Sequence, residues 1–220
     1  MSALKGLSAA ALTQVLVSGR VSDAMSGRGL DGAAPILDFD PSGSGGFVSL
    51  PARLTRHGDG WFAFHLAPGA MPQPSGPTPT LRLAASAARH VDGLATVAVP
   101  PADLALASEE QTIAAHDVTI VRIAGAPFRI ALTLDPLPVA LAGHVFIDGD
   151  SDQPAAGADV EIVVPPGAST TTGADGGFGL LTLPVAAEVT VKVTHGGEVR
   201  NHVVRPDYDQ RINRAVFTTA

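Results

Sequence analysis

The feature that most constrains this chain is an internal pattern of turn and core residues that occurs twice in the same order. The landmarks are Gly19, Gly32, Asp59, Phe62 and Pro68 in the first copy, and Gly143, Gly157, Asp175, Phe178 and Pro184 in the second. The two copies are offset by 124 and 125 positions at the two glycines and by 116 at the other three landmarks. A fixed order of this kind indicates an internal repeat, and the change of offset places an extra loop at residues 40–46 of the first copy.

Alternation of apolar and polar residues predicts β-strands throughout both copies. Strands are predicted over residues 15–21, 36–39, 80–87, 118–123 and 128–134 in the first copy, and over 158–164 and 189–193 in the second. Residues 102–116 are rich in helix formers, so either a short helix or a loop that crosses between sheets is expected there.

Asp-Gly pairs mark the turns of the pattern. Asp59-Gly60 and Asp175-Gly176 are predicted to form hairpin turns, because glycine tolerates positive φ and aspartate bonds its local backbone. With a strand period of two, alternate residues after each turn should enter the core. These residues are Phe62 and Phe64 in the first copy, and Phe178 and Leu180 in the second.

Composition agrees with a chain of short strands and many turns. Hydrophobic residues make up 45% of the 220 residues and charged residues 16%, with 24 glycines and 18 prolines, which favours an ordered, turn-rich fold over long helices. We therefore predict an all-β protein of two tandem Greek-key β-sandwiches. Residues 1–14 form a short N-terminal helical arm, residues 15–135 the first sandwich with loop insertions, and residues 138–220 the second.

The repeated motif resembles the carboxypeptidase regulatory-like domain. The residues that carry the resemblance are 143–145, 154–158, 170–172 and 175–178 in the second copy, and 19–21, 32–33 and 59–62 in the first. The resemblance implies a transthyretin-like (prealbumin-like) sandwich of about seven strands in each copy. It also implies an accessory module of peptidases, surface proteins, adhesins or large assemblies, which seldom carries catalysis. The enzymatic hydroxyisourate hydrolases of the related branch end in a tyrosine-rich tetrapeptide, whereas this chain ends in residues 217–220, Phe-Thr-Thr-Ala.

Charge and cysteine content exclude several classes of function. The formal net charge is −7 and no basic run occurs, which argues against nucleic acid as a partner. The chain has no cysteine, so it has no disulfide, thiolate zinc site or cysteine nucleophile. No apolar run approaches the roughly 20 residues of a membrane span. The apolar stretch near the N-terminus is interrupted and no small-x-small cleavage site follows it, so cytoplasmic synthesis without Sec export is predicted.

One acidic loop has the carboxylate spacing of a calcium site. Asp148, Asp150 and Asp152 alternate with small residues, and clustered carboxylates attract hard cations. The positions that a twelve-residue calcium loop reserves for glycine and glutamate hold other residues, so a solvated acidic loop is the preferred interpretation. Residues 27–32 match G-x-G-x-x-G, but a strand follows them, so they are interpreted as turn glycines.

The aromatic and imidazole side chains around the first turn suggest two further sites. Trp61 is the only tryptophan; it is interpreted as a core residue, with an exposed binding platform as the alternative. His57 and His65 straddle the Asp59-Gly60 turn and could face each other across the hairpin. A structural or exposed pair is preferred over zinc, which needs three or four ligands.

No catalytic constellation and no cofactor are predicted. The preferred function is a structural or adaptor protein that binds other proteins in a multi-subunit assembly, such as a cell-surface structure or a phage-tail-like particle. Its expected contact elements are the arm at residues 2–14 and the loop at 41–50, since both lie outside the repeat. The alternatives are a carbohydrate- or surface-binding accessory module that uses Trp61 and, last, a hydrolase.

Overall fold

The structure, a computed structural model, describes residues 13–113 and 116–219. Its elements are eighteen β-strands and short 3₁₀ turns within those residues, so the all-β class is confirmed. Most of the predicted N-terminal helical arm lies outside the described residues. The described end of that arm is not helical, because Gln14 already begins the first strand.

The chain separates into two compact units, Met1–Asp135 and Pro136–Ala220. The strands of unit 1 are β1 (Gln14–Asp23), β2 (Ala34–Asp40), β3 (Val48–Ser49), β4 (Arg53–Arg56), β5 (Trp61–Leu66), β6 (Thr80–Ser86), β7 (Gly93–Ala98), β8 (Leu106–Ile113), β9 (His116–Ile123), β10 (Phe128–Arg129) and β11 (Leu132–Leu134). The strands of unit 2 are β12 (Ala140–Phe146), β13 (Asp159–Val164), β14 (Ser169–Thr171), β15 (Gly177–Thr182), β16 (Val189–His195), β17 (Glu198–Val204) and β18 (Ile212–Thr218). The strands predicted from alternation are thereby confirmed, except that the strand predicted at 128–134 is divided into β10 and β11.

Unit 1 has two main sheets whose inner faces share one core. The first has the order β10-β1-β5-β4, with β11 also beside β1, and the second has the order β3-β2-β6-β7. β10 and β11 run parallel to β1, while β5 is antiparallel to it. Phe62 and Phe64 from the first sheet and Phe39, Leu81 and Leu83 from the second belong to one buried cluster, as in a sandwich.

Unit 2 has a three-stranded sheet, β15-β12-β18, and a four-stranded sheet, β14-β13-β16-β17. β18 runs parallel to β12, and β15 runs antiparallel to it. Phe178 and Phe217 come from the first sheet and stack with ring centroids 5.7 Å apart. They join Val160 and Val191 of the second sheet in one buried cluster.

A glycine at the centre of one sheet in each unit lets a parallel strand approach closely. A Cβ atom at Gly19 would lie 1.7 Å from the backbone oxygen of Ile130, and one at Gly143 would lie 1.8 Å from that of Ala215. Any other residue would collide with the neighbouring backbone at these positions. The glycine of the repeated G-x-V motif therefore has a packing role in both units.

Two β-bulges correct the predicted alternation. In β1 the register shifts between Val15 and Val17, so the neighbouring residues Leu16 and Val17 are both fully buried. In β15 the register shifts where Leu141 and Gly143 face that strand. Leu180, predicted to be a core residue, is 66% exposed, and Leu181 is buried in its place. An extra residue in one strand reverses the faces beyond it.

Two other predictions are wrong. The helix or crossing loop predicted for residues 102–116 does not occur in their described part, because a 3₁₀ turn at Pro101–Leu104 is followed by β8. The turn at Asp175-Gly176 is not a hairpin, since β14 pairs with β13 and β15 pairs with β12 in another sheet. The turn at Asp59-Gly60 does join the antiparallel pair β4 and β5, as predicted.

Candidate protein-interaction surface

The largest feature outside the two main sheets of unit 1 is the ribbon, defined here as the strand pair β8–β9. Its antiparallel ladder runs from Leu106 opposite Ile123 to Ile113 opposite His116. Among the described residues, neither strand pairs with a third. Leu106 and Val121 are 49% and 42% exposed. A two-stranded ribbon with exposed apolar side chains has little stability of its own in water, which is typical of an element that is covered by a partner.

The base of the ribbon is fixed to unit 1. The Ala124 N–H donates to the Ala105 carbonyl at 2.9 Å and closes the ladder. The side-chain amide of Gln14, the first residue of β1, makes the two hydrogen bonds with Ile123 that the backbone of a neighbouring strand would make. Its Nε2 donates to the Ile123 oxygen at 3.0 Å, and its Oε1 accepts the Ile123 N–H at 2.8 Å. Ile123 itself is fully buried, so the ribbon leaves the core at a defined point.

The two strands of the ribbon differ in chemistry. β8 carries Glu109 and Glu110, whereas β9 carries the β-branched residues Thr119, Ile120 and Val121 in succession. Arg122 forms a 3.6 Å ion pair with Glu109, and both side chains are about half exposed. Sequence reasoning identified the strand at 118–123 but missed β8, so it missed the ribbon. The signal for β9 was its β-branched run; no comparable signal marks β8.

Trp61 lies on the outer face of the first sheet, opposite Arg20 in the register of β1 and β5. It is 52% exposed, so its interpretation as a core residue is wrong. Trp61 lines a shallow crevice together with Pro35, Arg56 and His57. The crevice therefore presents an aromatic face, an imidazole and a guanidinium to solvent.

An ion pair between Arg20 and Asp59 holds the turn that precedes Trp61. Arg20 donates to both carboxylate oxygens of Asp59 at 2.7 Å, and the Gly29 N–H donates to the same carboxylate at 3.0 Å. The Arg20 guanidinium, followed by the Gly29 N–H, lowers the pKa of Asp59. Gly29 belongs to the glycine-rich stretch 27–32, which connects β1 with β2. The interpretation of that stretch as turn glycines is confirmed.

The two histidines of the hairpin do not face each other. The register places Arg53 opposite His65, and His65 Nε2 lies 2.9 Å from Thr55 Oγ1. The His57 N–H donates to the Trp61 carbonyl across the turn. The facing arrangement of imidazoles that the sequence allowed is therefore absent from this hairpin.

The loop at 41–50 is organised by the buried carboxylate of Asp40. Its Oδ1 accepts the Ser42 N–H and hydroxyl at 3.0 and 2.8 Å, and its Oδ2 accepts the Gly45 N–H. Burial raises the pKa of Asp40, but the hydrogen bonds from Gly45 and Ser42 outweigh it and lower the pKa overall. The loop ends at β3, where Val48 is 47% exposed. Its role as a contact element stays a prediction.

The acidic loop of unit 2 is held by hydrogen bonds of its own. Asp150 accepts the Asp152 N–H at 3.0 Å and Gln153 Nε2 at 2.8 Å, and these two bonds lower its pKa. Asp148 has φ of 47°. In the described part of the chain, no three carboxylate or imidazole side chains are grouped as metal ligands. Calcium binding by Asp148, Asp150 and Asp152 stays a prediction, and a melting temperature that is equal in calcium and in chelator would rule it out.

Comparison with known proteins assigns no family. No family model matches the chain, and no curated protein matches it. Among solved structures, the chain is similar to the Bacillus anthracis TIE protein, with 12% identity over 92% of this chain and 33% of that one and a TM-score of 0.36. It is also similar to BcpA, the major pilin subunit of Bacillus cereus, in two crystal structures. Identity is 10% over 86% of this chain and 56% of that one, with TM-scores of 0.28 and 0.29.

The chain thus spans about a third of the first protein and about half of the second. At these scores the likeness identifies neither a family nor a function. The described residues also include no helix with the length and hydropathy of a membrane span.

Proposed function

We propose that this chain is a non-catalytic structural or adaptor protein that binds other proteins within a larger assembly, such as a cell-surface structure or a phage-tail-like particle. The ribbon carries the proposal. It combines two eight-residue strands that pair only with each other among the described residues with exposed apolar side chains at Leu106 and Val121. Exposed strand edges of this length bind other chains readily.

The repeat supports this proposal, because it distinguishes the strands that both units share, here called the framework, from strands that only unit 1 has. We propose that both units are copies of one seven-stranded, carboxypeptidase regulatory-like Greek-key sandwich. The order β10-β1-β5 corresponds to β18-β12-β15, and β3-β2-β6-β7 corresponds to β14-β13-β16-β17. Gly143 lies against the backbone of the parallel strand β18, and Gly19 lies against the backbone of Ile130, between the parallel strands β10 and β11. β8 and β9 have no counterpart in unit 2, so the ribbon is an addition to the framework.

The roles of four carboxylates agree with a structural function. Asp23, Asp40, Asp59 and Asp150 have lowered pKa values. Each of them accepts at least one backbone N–H from a loop residue. Lowered pKa values often mark functional sites, but they also arise where acids fix loops. The latter cause applies here, because every donor belongs to the fold itself.

Replacement of the ribbon tests the proposal. Because Ala105 and Ala124 are joined by a backbone hydrogen bond, residues 106–122 can be replaced by a short Asn-Gly loop that keeps the buried Ile123 and does not separate the flanking chain. We expect the wild-type chain, tagged in its native host, to elute in a large complex. We expect the replaced chain to keep its β-sheet circular dichroism and to elute free of that complex.

A matched control removes exposed apolar surface elsewhere. Val203 is 63% exposed on β17, which pairs on one side only in the described structure. Val203→Ser should leave the complex intact. If the chain without its ribbon stays in a complex of unchanged size, the ribbon is not the contact element and the proposal fails.

The exposure of Trp61 favours a second candidate, a carbohydrate- or surface-binding module. Aromatic faces stack on apolar sugar faces, and Trp61 is half exposed beside a shallow crevice. A glycan array should then show binding that Trp61→Ala abolishes and Trp61→Phe partly retains. Equal array signals for the wild type and Trp61→Ala would exclude this candidate.

A further inference from the structure

We infer that β9 is the pairing edge of the ribbon and that its partner is β9 of a second copy of this chain. The two strands run antiparallel about a two-fold axis at Ile120. The inference rests on the proposed function, since it names the partner of the ribbon. In the resulting four-stranded sheet, β8-β9-β9-β8, the two copies pair over Thr119–Val121, because the Gln14 side chain already occupies the edge beside Ile123.

The hydrogen bonds at the base of the ribbon show which backbone groups face outward. Both the N–H and the C=O of Ile123 bond to the Gln14 side chain, so they point away from β8. In an antiparallel ladder this orientation alternates from residue to residue. The N–H and C=O groups of Thr119 and Val121 therefore also point away from β8, toward open space at the edge.

The two-fold pairing about Ile120 uses these outward groups. It sets Thr119 of one copy opposite Val121 of the other, in hydrogen-bonded pairs, and Ile120 opposite its own counterpart. Cross-strand pairs of β-branched residues stabilise antiparallel sheets. Every directly opposed pair in the centre of this interface is of that kind.

The charges of the ribbon select β9 over β8. A two-fold pairing through β8 would bring Glu109 or Glu110 of one copy opposite a glutamate of the other in its central registers, and like charges directly opposite each other are destabilising. By contrast, residues 118–121 of β9 contain no charge, proline or glycine. Natural edge strands that stay unpaired are protected by such residues.

A pair of matched proline variants tests the inference. Thr119→Pro removes an outward-facing N–H from β9, whereas Ser108→Pro removes one from β8, because Ser108 faces Val121 in the ladder and shares its orientation. Size-exclusion chromatography with light scattering, over a range of concentrations, gives the mass. We expect the wild type and Ser108→Pro to reach twice the chain mass of 22.3 kDa, and Thr119→Pro to stay at that mass.

A second matched pair does not depend on proline. Val121→Lys places two like charges near the two-fold axis, while Ser108→Lys places its charge on the other edge. We expect the dissociation constant of the dimer to be at least ten times lower for Ser108→Lys than for Val121→Lys. At the concentration where the wild type is half dimeric, only Val121→Lys should then be monomeric. Circular dichroism checks that each variant is folded.

The outcomes separate this inference from the proposed function. A wild type that is monomeric at every concentration, or a dimer that either Ser108 variant abolishes, overturns pairing through β9. If the chain without its ribbon nevertheless leaves the native complex, the ribbon binds a different protein and the proposed function stands. If that chain remains in the complex, the proposed function itself fails.

Discussion

Substitution of Gly143 by alanine should destabilise unit 2 strongly for the addition of a single methyl group. The new Cβ would lie 1.8 Å from the Ala215 oxygen, where real contacts stay above 3.0 Å. β12 and β18 must therefore separate locally by about 1.2 Å, the difference between these two distances. The atom in the way is backbone, so no side-chain rotation relieves the contact.

The cost follows from the separation of the two strands. Overpacking that shifts the backbone costs about 1–3 kcal/mol, and a weakened ladder hydrogen bond adds ~0.5–1.5 kcal/mol. Alanine restricts the unfolded chain and returns about 0.4–1 kcal/mol. These ranges combine to a loss in the free energy of unfolding of about 0.5–4 kcal/mol, centred near ~2 kcal/mol. For a unit of this size the central value corresponds to roughly 8–16 °C in melting temperature.

Thermal unfolding followed by the fluorescence of Tyr208, the single tyrosine, measures this loss. Tyr208 lies in unit 2 and hydrogen-bonds the Ala186 backbone. The control is Gly179→Ala on β15, where an added Cβ meets nothing within 4 Å. We expect it to change stability by less than about 0.5 kcal/mol. Equal melting temperatures for Gly143→Ala and Gly179→Ala would refute the close approach of β18 to β12.

Two other predictions concern unit 2. Leu181→Ala should lower the free energy of unfolding by about 2–5 kcal/mol, because it leaves a cavity, whereas Leu180→Ala should lower it by less than about 0.5 kcal/mol. Urea unfolding that ranks the two variants in the opposite order would contradict the bulge in β15. Burial lowers the pKa of His202, so the unfolded chain binds a proton at this histidine more readily than the folded chain does. The stability that neutral His202 contributes is complete above pH ~6.5 and is lost as the pH falls below that value. Between pH ~7.5 and ~5.5 the melting temperature of His202→Gln should fall by less than that of the wild type, and equal decreases would contradict this.

The strands and turns that follow local rules could be predicted from the sequence. Each unit repeats a glycine that admits a parallel strand and a buried aromatic residue after an Asp-Gly turn, and these positions set the offsets. The exposure of Trp61 could also be predicted from the sequence. It precedes Phe62, and a period of two places neighbours on opposite faces. Strand parity outweighs the preference of aromatic residues for cores at this position.

Other features depend on cross-strand partners that no local pattern contains. The bulge in β15 is a mismatch with β12, so alternation within β15 alone predicts Leu180 in the core. β8 has residues that favour helices, and its ladder with β9 overrides that preference. The ribbon, which is the candidate site, could not be assembled from sequence because only one of its two strands was recognisable.

The ribbon, an addition to a repeated framework, is the proposed element by which this chain joins an assembly. Hydrogen exchange read by mass spectrometry, on the dilute purified chain and on the complex from its native host, tests this directly. We expect peptides from residues 106–123 to exchange rapidly in the dilute chain and to gain most of the protection in the complex. Unchanged exchange in these peptides, with new protection confined to other surfaces, would contradict the claim.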